Sequence, residues 1–132
     1  AELIKINVGS ALTFLDNPPE DYIVHGPNQM TALPMKVPVS YQEIAHCLDK
    51  SISKIEAAVL SALEQTPPEL YADIVKNGIY LAGGGALLRG IDKRLRDKMG
   101  IEFHVADDPL HAVARGTGIA LKNIDKFNFL IR

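Results

Sequence analysis

Apolar and polar positions alternate along the chain with two different spacings, one typical of helices and one typical of strands. Across residues 41–65 apolar side chains recur every three or four positions, which predicts one long helix or two helices in series. Ser40 and Glu43 have the form of a capping box and therefore predict where this helix begins. Pro67 and Pro68 predict where it ends, since proline cannot continue a helix interior.

Three shorter segments flank this long helical pattern. Residues 21–39 are β-prone around a Gly-Pro-Asn turn and predict a hairpin. Pro34 and Pro38 restrict its second strand to a sheet edge. Residues 1–9 fit a strand nearly as well as a helix, so both interpretations stay open. Residues 69–76 predict a short helix that the prolines before it initiate.

The centre of the chain changes from an apolar run to helical spacing at three consecutive glycines. Residues 79–82 predict a strand buried on both faces, and residues 86–98 predict a helix packed on it. The helix N-terminus would then lie at Gly83, Gly84 and Gly85, where its free N–H groups attract anions. Spacing excludes a P-loop and a dinucleotide fingerprint. A tight turn without a ligand stays open as the alternative.

The C-terminal part predicts one more strand and one more helix. Residues 101–105 alternate apolar and polar side chains, as in a half-buried strand. The acidic pair before proline at 107–109 predicts the N-cap of a last helix. Apolar positions within 110–124 predict its buried face. Gly116 and Gly118 disfavour a helix and are best explained if another backbone packs closely there.

Composition mainly excludes classes of protein. The chain has 132 residues, of which 47% are hydrophobic and 23% charged, typical of a globular protein with one domain or two small lobes. Its net charge of −2 gives no electrostatic reason to expect nucleic acid as a partner. The single cysteine, Cys47, cannot form an internal disulfide and is predicted to be a small buried hydrophobe. No apolar run approaches the roughly 20 residues of a membrane span.

Candidate catalytic and metal-binding chemistry is absent from the pattern. The four histidines lie far apart, and none has a second ligand at metal-site spacing. No Ser–His–Asp or Cys–His arrangement can be argued, so we predict neither catalytic nor metal-binding residues. The central helix is basic, which predicts a solvated face, with phosphate or partner contact as the alternative. Its basic residues are Arg89, Lys93, Arg94, Arg96 and Lys98.

Several segments taken together resemble the MreB family of bacterial actin-like, rod-shape-determining proteins. The resemblance extends nearly from end to end, and the joint match is far more specific than any single motif. The segments are LAGGGALLRGID at 81–92, ADDPL at 106–110, VARG at 113–116, AELIKI with GSA within 1–11, ALEQTPPEL at 62–70 and the helical pattern at 44–59.

This resemblance implies an α/β chain with the actin-like (ribonuclease H-like) ATPase fold, in which two lobes close on ATP and Mg. The chain would supply part of the second lobe only. Residues 1–48 would belong to its small subdomain, and residues 49–132 to its large subdomain with the adenosine-binding loop. The nucleotide-binding residues implied by the family motifs are Gly83, Gly84, Gly85, Ala86, Glu2 and Lys5.

The resemblance also implies a C-terminal fragment of a longer cytoplasmic protein. The expected parent is an ATPase that polymerises with itself into filaments and directs cell-wall synthesis with membrane-associated elongation proteins. The family's phosphate loop, catalytic acids and membrane-contacting segment are not in this sequence, so we expect no catalysis from it alone. Another ATPase of the superfamily, such as a sugar kinase or a chaperone, is the alternative. Residues 127–132 are less typical of the family, and their role stays open.

Overall fold

The structure is a computed structural model, and it describes residues 1–127. It has the predicted α/β class, with five α-helices, four strands and one 3-10 turn in this part of the chain. The role of residues 127–132 stays open, and residues 128–132 lie outside the described part of the chain. In chain order the elements are α1 (Glu2–Val8), β1 (Tyr22–Pro27), β2 (Pro34–Val39), α2 (Tyr41–Glu64), α3 (Pro68–Asn77), β3 (Ile79–Leu81), the 3-10 turn (Gly84–Leu87), α4 (Ile91–Met99), β4 (Phe103–Val105) and α5 (Ala112–Lys122).

Helix α2 begins with the predicted capping box. The Glu43 N–H donates to Ser40 Oγ at 3.3 Å, and the Ser40 N–H donates back to Glu43 Oε2 at 2.8 Å. The pKa of Glu43 is lowered mainly by the hydrogen bond from the Ser40 backbone N–H and next by the one from the Ser40 hydroxyl, because both donors favour the carboxylate. The helix then continues unbroken to Glu64. The proposed division between 1–48 and 49–132 therefore falls inside one helix, and it stays a prediction.

The N-terminal segment and the hairpin precede this helix. Residues that periodicity left open between strand and helix form α1. Strands β1 and β2 pair antiparallel from Tyr22↔Val39 to Pro27↔Pro34, which confirms the predicted hairpin. The two strands form a ribbon of their own, so β2 has a free edge and accommodates its prolines.

The hydrophobic core lies between α2, α4 and the pair β3–β4. The parallel strands β3 and β4 pair from Ile79↔Phe103 to Leu81↔Val105. Burial of each large apolar side chain contributes about 1.5–3 kcal/mol before conformational entropy is subtracted. The buried members of the core are Ala11, Ile52, Leu63, Ile91, Leu95, Ile101 and Phe103.

Strand β3 is more exposed than predicted. Tyr80, at its centre, is 70% exposed. Its ring contacts only the His104 ring of β4 among the described aromatic side chains, with centroids 5.1 Å apart. The prediction of a strand buried on both faces is therefore wrong for this part of the chain. An apolar sequence allows burial on both faces, but no described layer covers the face that carries Tyr80 and His104.

The helix predicted over 86–98 begins later. Gly84–Leu87 forms a 3-10 turn, and α4 occupies Ile91–Met99. Gly90 separates them with φ +72°, and a Cβ there would lie 2.7 Å from Leu12 Cδ1. Glycine is required at this corner because side chains rarely adopt that backbone conformation. The N-terminus of α4 is thus separated from the three glycines, so the prediction that this helix end lies at the glycines is wrong.

The acidic pair before proline does not cap the last helix. Helix α5 has His111 at its N-cap position, and no side chain there makes a capping hydrogen bond. Asp108 instead has a left-handed backbone with φ +48°. The proline therefore lies in a turn that precedes the helix, so the capping prediction for 107–109 is wrong.

The face of α5 that was predicted to be buried is exposed in the described part of the chain. No residue of α5 is buried, and Val113 is 74% exposed. A Cβ at Gly116 or Gly118 would meet nothing within 4 Å. The close backbone predicted at these glycines is therefore not found among residues 1–127. The helical period correctly located the helix, but it does not supply the surface on which the helix packs.

Two further predictions on side chains were wrong. Cys47 is exposed, since the buried line of α2 runs through Ala45 and Ile52 beside it. Arg94 does not belong to a solvated face, because its side chain is 18% exposed.

Arg94 instead joins α4 to α2. Its guanidinium contacts Glu56 Oε1 at 2.5 Å and Asp49 Oδ1 at 2.8 Å, and it donates to the Ala11 carbonyl at 3.0 Å. Burial by itself would lower the pKa of Arg94, but the hydrogen bonds to Glu56 and Asp49 outweigh burial and raise it. The ion pair with Glu56 lies largely out of solvent, which makes it a structural contact.

Candidate nucleotide-binding site

A cavity of about 530 Å³ lies between α1, α2, the 3-10 turn and α4. It includes five of the six residues predicted to bind nucleotide: Glu2, Lys5, Gly84, Gly85 and Ala86. Gly83 precedes the turn and does not line the cavity. The other lining residues are Ile6, Leu48, Ser51, Ile52, Ile55, Leu81, Ala82, Leu87, Leu88, Ile91, Leu95 and Leu110. A wider apolar groove of about 740 Å³, between α2 and α3, contains none of the six.

Arg89 holds α1 beside Gly83, Gly84 and Gly85, which we call the glycine segment. Its Nη1 donates to the carbonyls of Ile6 and Gly9, both at 3.3 Å, where α1 ends. Its own carbonyl accepts the Ala11 N–H at 2.8 Å, and Ser10 and Arg89 form an isolated parallel bridge. The end of α1 is therefore tied through main chain and side chain to the residue just before Gly90. This contact brings positions more than 80 residues apart to one cavity.

Glu2 and Lys5 are the charged side chains of the cavity. They lie one helical turn apart on α1, and Lys5 Nζ is 2.8 Å from Glu2 Oε1. Their side chains are 70% and 52% exposed, so both ends remain accessible to a ligand. A carboxylate accepts hydrogen bonds from hydroxyl groups, and an ammonium group donates them to ring nitrogens or anionic oxygens. Ser51 of α2 adds a hydroxyl, and the rest of the lining is apolar or backbone.

The glycine segment presents bare main chain to this cavity. Gly83 has φ +82°, which glycine adopts without strain, and its N–H donates to the Pro109 carbonyl at 2.7 Å. A Cβ at Gly85 would meet nothing within 4 Å, and one at Gly84 would meet only Leu110 Cδ2, at 3.5 Å. The space beside Gly84 and Gly85 is therefore open, and a flat group can lie against the backbone there.

Sequence reasoning missed two residues that build this site. Arg89 was assigned to a solvated basic face, and only its contacts with α1 reveal its role. Leu110 was assigned to the inner face of the last helix, but it precedes α5 and forms part of the cavity wall. Its position directly after the Asp-Asp-Pro run was the available signal, because a turn there can return the chain to the glycines.

Neither a group of metal ligands nor a membrane-spanning helix is found among residues 1–127. Within that range no three His, Cys, Asp or Glu side chains form a group able to hold a metal ion. No described helix combines the length and apolar character that would be needed to cross a membrane.

Comparison with known proteins identifies the family. A family profile described as MreB/Mbl protein matches residues 1–129. The chain belongs to the MreB/Mbl family. Among curated MreB/Mbl relatives, it is 42% identical to the cell shape-determining protein Mbl of Bacillus cereus and 43% identical to the cell shape-determining protein MreB of Escherichia coli K12. These alignments cover 96% and 95% of this chain but 37% and 35% of the relatives.

Solved MreB structures share the fold. MreB5 of Spiroplasma citri bound to ADP superposes with a TM-score of 0.85 at 38% identity, over 95% of this chain and 37% of MreB5. The same protein bound to AMPPNP superposes with a TM-score of 0.83 at 38% identity and the same coverage. The predicted actin-like fold is thereby confirmed for a chain that spans about 37% of the length of these relatives.

Proposed function

We propose that this chain forms the adenosine-binding wall of an ATP-binding MreB-family cytoskeletal protein. The observation that carries the proposal is the single cavity that joins Glu2 and Lys5 of α1 to Gly84, Gly85 and Ala86. Two solved relatives with the same fold, both MreB5, are bound to ADP and AMPPNP. That similarity supports an adenine nucleotide as the ligand of this cavity.

Each part of the cavity has a proposed task. The base and ribose lie against Gly84 and Gly85, where side chains would occupy the space the ligand needs. Glu2 accepts hydrogen bonds from the ribose hydroxyls, and Lys5 donates to the base or to phosphate oxygens. Gly83 stabilises the conformation of the glycine segment through the hydrogen bond from its N–H to the Pro109 carbonyl. Mg²⁺ enters as a partner of the nucleotide phosphates, with its protein ligands outside this chain.

We further propose that the chain acts as part of a longer protein that polymerises head to tail into filaments. Repeated contacts that do not close generate such open polymers. The curated relatives are named for determining cell shape, which supports a role in cell-wall synthesis and rod shape. Residues 1–48 and 49–132 would form parts of the two subdomains of its second lobe. We propose that the parent is cytoplasmic, contacts the membrane and elongation proteins through other segments, and needs those segments to hydrolyse ATP.

Calorimetric titration of MgATP into the full-length protein tests the nucleotide site. Gly84→Val should weaken binding about five- to 150-fold, since overfilling the space between ligand and backbone costs roughly 1–3 kcal/mol. Gly26→Val is the control, because Gly26 lies in β1 outside the cavity and a Cβ there meets nothing within 4 Å. Unchanged affinity in Gly84→Val would remove the site assignment. Equal loss in both variants would show a general effect on folding.

Sedimentation tests the polymer proposal. This chain alone holds only one of the two complementary faces of a head-to-tail contact, so it should stay in the supernatant with and without ATP. Added to filaments of the full-length protein, it should shorten or cap them. Ordered filaments formed by this chain alone would contradict the proposed contact. If the chain leaves filaments unchanged, the capping proposal is wrong, although the nucleotide site could still stand.

A further inference from the structure

The turn between β4 and α5 forms one side of the nucleotide cavity. The Gly83 N–H donates to the Pro109 carbonyl at 2.7 Å, and the next residue, Leu110, lines the cavity. Leu110 Cδ2 is also the nearest atom to the position a Cβ would take at Gly84. Pro109 itself is buried. Any displacement of this turn would therefore move the cavity wall and release the hydrogen bond that fixes Gly83.

Three polar side chains hold the turn from its exposed side. Asp108 has a left-handed backbone with φ +48°, and both of its carboxylate oxygens lie 3.0 Å from His111 Nδ1. Arg115, one turn further into α5, donates from Nη2 to the Asp107 carbonyl at 2.6 Å. The hydrogen bond from His111 is the main cause that lowers the pKa of Asp108. We call Asp108, His111 and Arg115 the turn clasp.

The contacts of the turn clasp do not cap the first turn of α5. A helix start is usually satisfied by a side chain that accepts N–H groups of its first turn, and α5 has no such bond. The Asp108 carboxylate instead bonds the His111 ring, and the Arg115 guanidinium bonds a carbonyl that precedes the helix. These contacts fix the path of 107–111, and that path sets where Pro109 and Leu110 meet the glycine segment.

We propose that Asp108, His111 and Arg115 are positioning residues for the nucleotide site, which hold the Pro109 carbonyl and Leu110 side chain against Gly83 and Gly84. This inference rests on the proposed function of the cavity. The clasp touches no ligand itself. It acts through the turn, by keeping the glycine segment in the one arrangement that leaves its main chain open to the ligand.

Asp108→Gly and His111→Ala test the proposal. Glycine accepts the positive φ of position 108, so Asp108→Gly removes the carboxylate that contacts His111 without adding backbone strain. Asp108→Asn keeps an oxygen acceptor and a residue type that tolerates this conformation, and should restore most of the behaviour. Asp16→Gly and His46→Ala remove the same kinds of side chain from exposed positions elsewhere and serve as controls.

The first readout is native-state exchange of the Gly83 amide in this chain. The amide should exchange about two- to fivefold faster in Asp108→Gly and His111→Ala, the modest change expected when a contact between two exposed side chains is lost. The double variant should add little to either single one, because both remove the same contact. Unchanged exchange at Gly83 in both single variants would overturn the proposal.

The second readout is MgATP affinity of the full-length protein. It should fall about two- to fivefold in both single variants, recover in Asp108→Asn and stay unchanged in the two controls. If the unmodified protein binds MgATP and both single variants bind it equally well, the positioning role is wrong and the nucleotide site stands. If the unmodified protein binds no MgATP, the proposed function fails, while exchange at Gly83 still decides whether the clasp orders the turn.

Discussion

Helices α4 and α5 differ in what surrounds them, although helical spacing of apolar residues predicts both. Helix α4 buries Ile91 and Leu95 in the core and is joined to α2 through Arg94. Helix α5 buries no residue, and Leu121 is 67% exposed. The comparison teaches that an apolar stripe specifies a helix and the face it can bury. Whether that face is buried depends on a second surface, which α5 lacks among residues 1–127.

The largest expected effect is at the centre of the core. Leu95→Ala should lower the free energy of unfolding by about 2–5 kcal/mol, since Leu95 is 2% exposed and its removal leaves a cavity. Chemical denaturation of this chain, followed by circular dichroism, measures the change. A loss below about 1 kcal/mol would show that α4 is as loosely packed as α5 and would remove the contrast.

A smaller effect is expected where α4 meets α2. Glu56→Gln should cost about 2 kcal/mol, because Arg94 would keep its charge in a site that is 18% exposed and lose its closest partner. Asp49→Asn is the control, since Asp49 contacts the same guanidinium but is 60% exposed and should cost less than about 1 kcal/mol. Equal losses in the two variants, measured by denaturation, would contradict the distinction between them.

On α5 the expected effect is close to zero. Leu121→Ala should change the stability of this chain by less than about 0.5 kcal/mol, because a side chain that is 67% exposed loses little packing on truncation. The same denaturation experiment checks it beside Leu95→Ala. A loss comparable to that of Leu95→Ala would show that the face of α5 is covered in solution, and the comparison with α4 would no longer hold.

A further effect concerns the exposed start of α2 and depends on pH. The pKa of Glu43 is lowered in the folded chain, so its capping contribution is present above the ordinary glutamate pKa of about 4.3. The contribution should be lost as the pH falls through the lowered folded value. Denaturation midpoints of the unmodified chain and of Glu43→Gln should therefore differ at pH 7 and converge towards pH 3. A difference that grows on acidification would contradict the sign of this linkage.

The sequence by itself determined the interactions between residues that are close along the chain. The capping box of Ser40 and Glu43, the hairpin and the existence of α4 and α5 were predicted because they depend on neighbours within a few positions. The family motifs also named Glu2, Lys5 and Gly83 to Ala86 as one group, whose role in nucleotide binding stays a prediction. No spacing rule shows that α1 and the glycine segment line the same cavity.

Only the tertiary structure decided which of these elements meet and which faces are covered. Arg89 reaches the carbonyls at the end of α1 across 80 or more positions, and the Pro109 carbonyl reaches Gly83 across a strand and a helix. The exposure of Cys47, Tyr80 and α5 has the same origin. Burial is a property of two surfaces in contact, and a periodic sequence specifies only one of them.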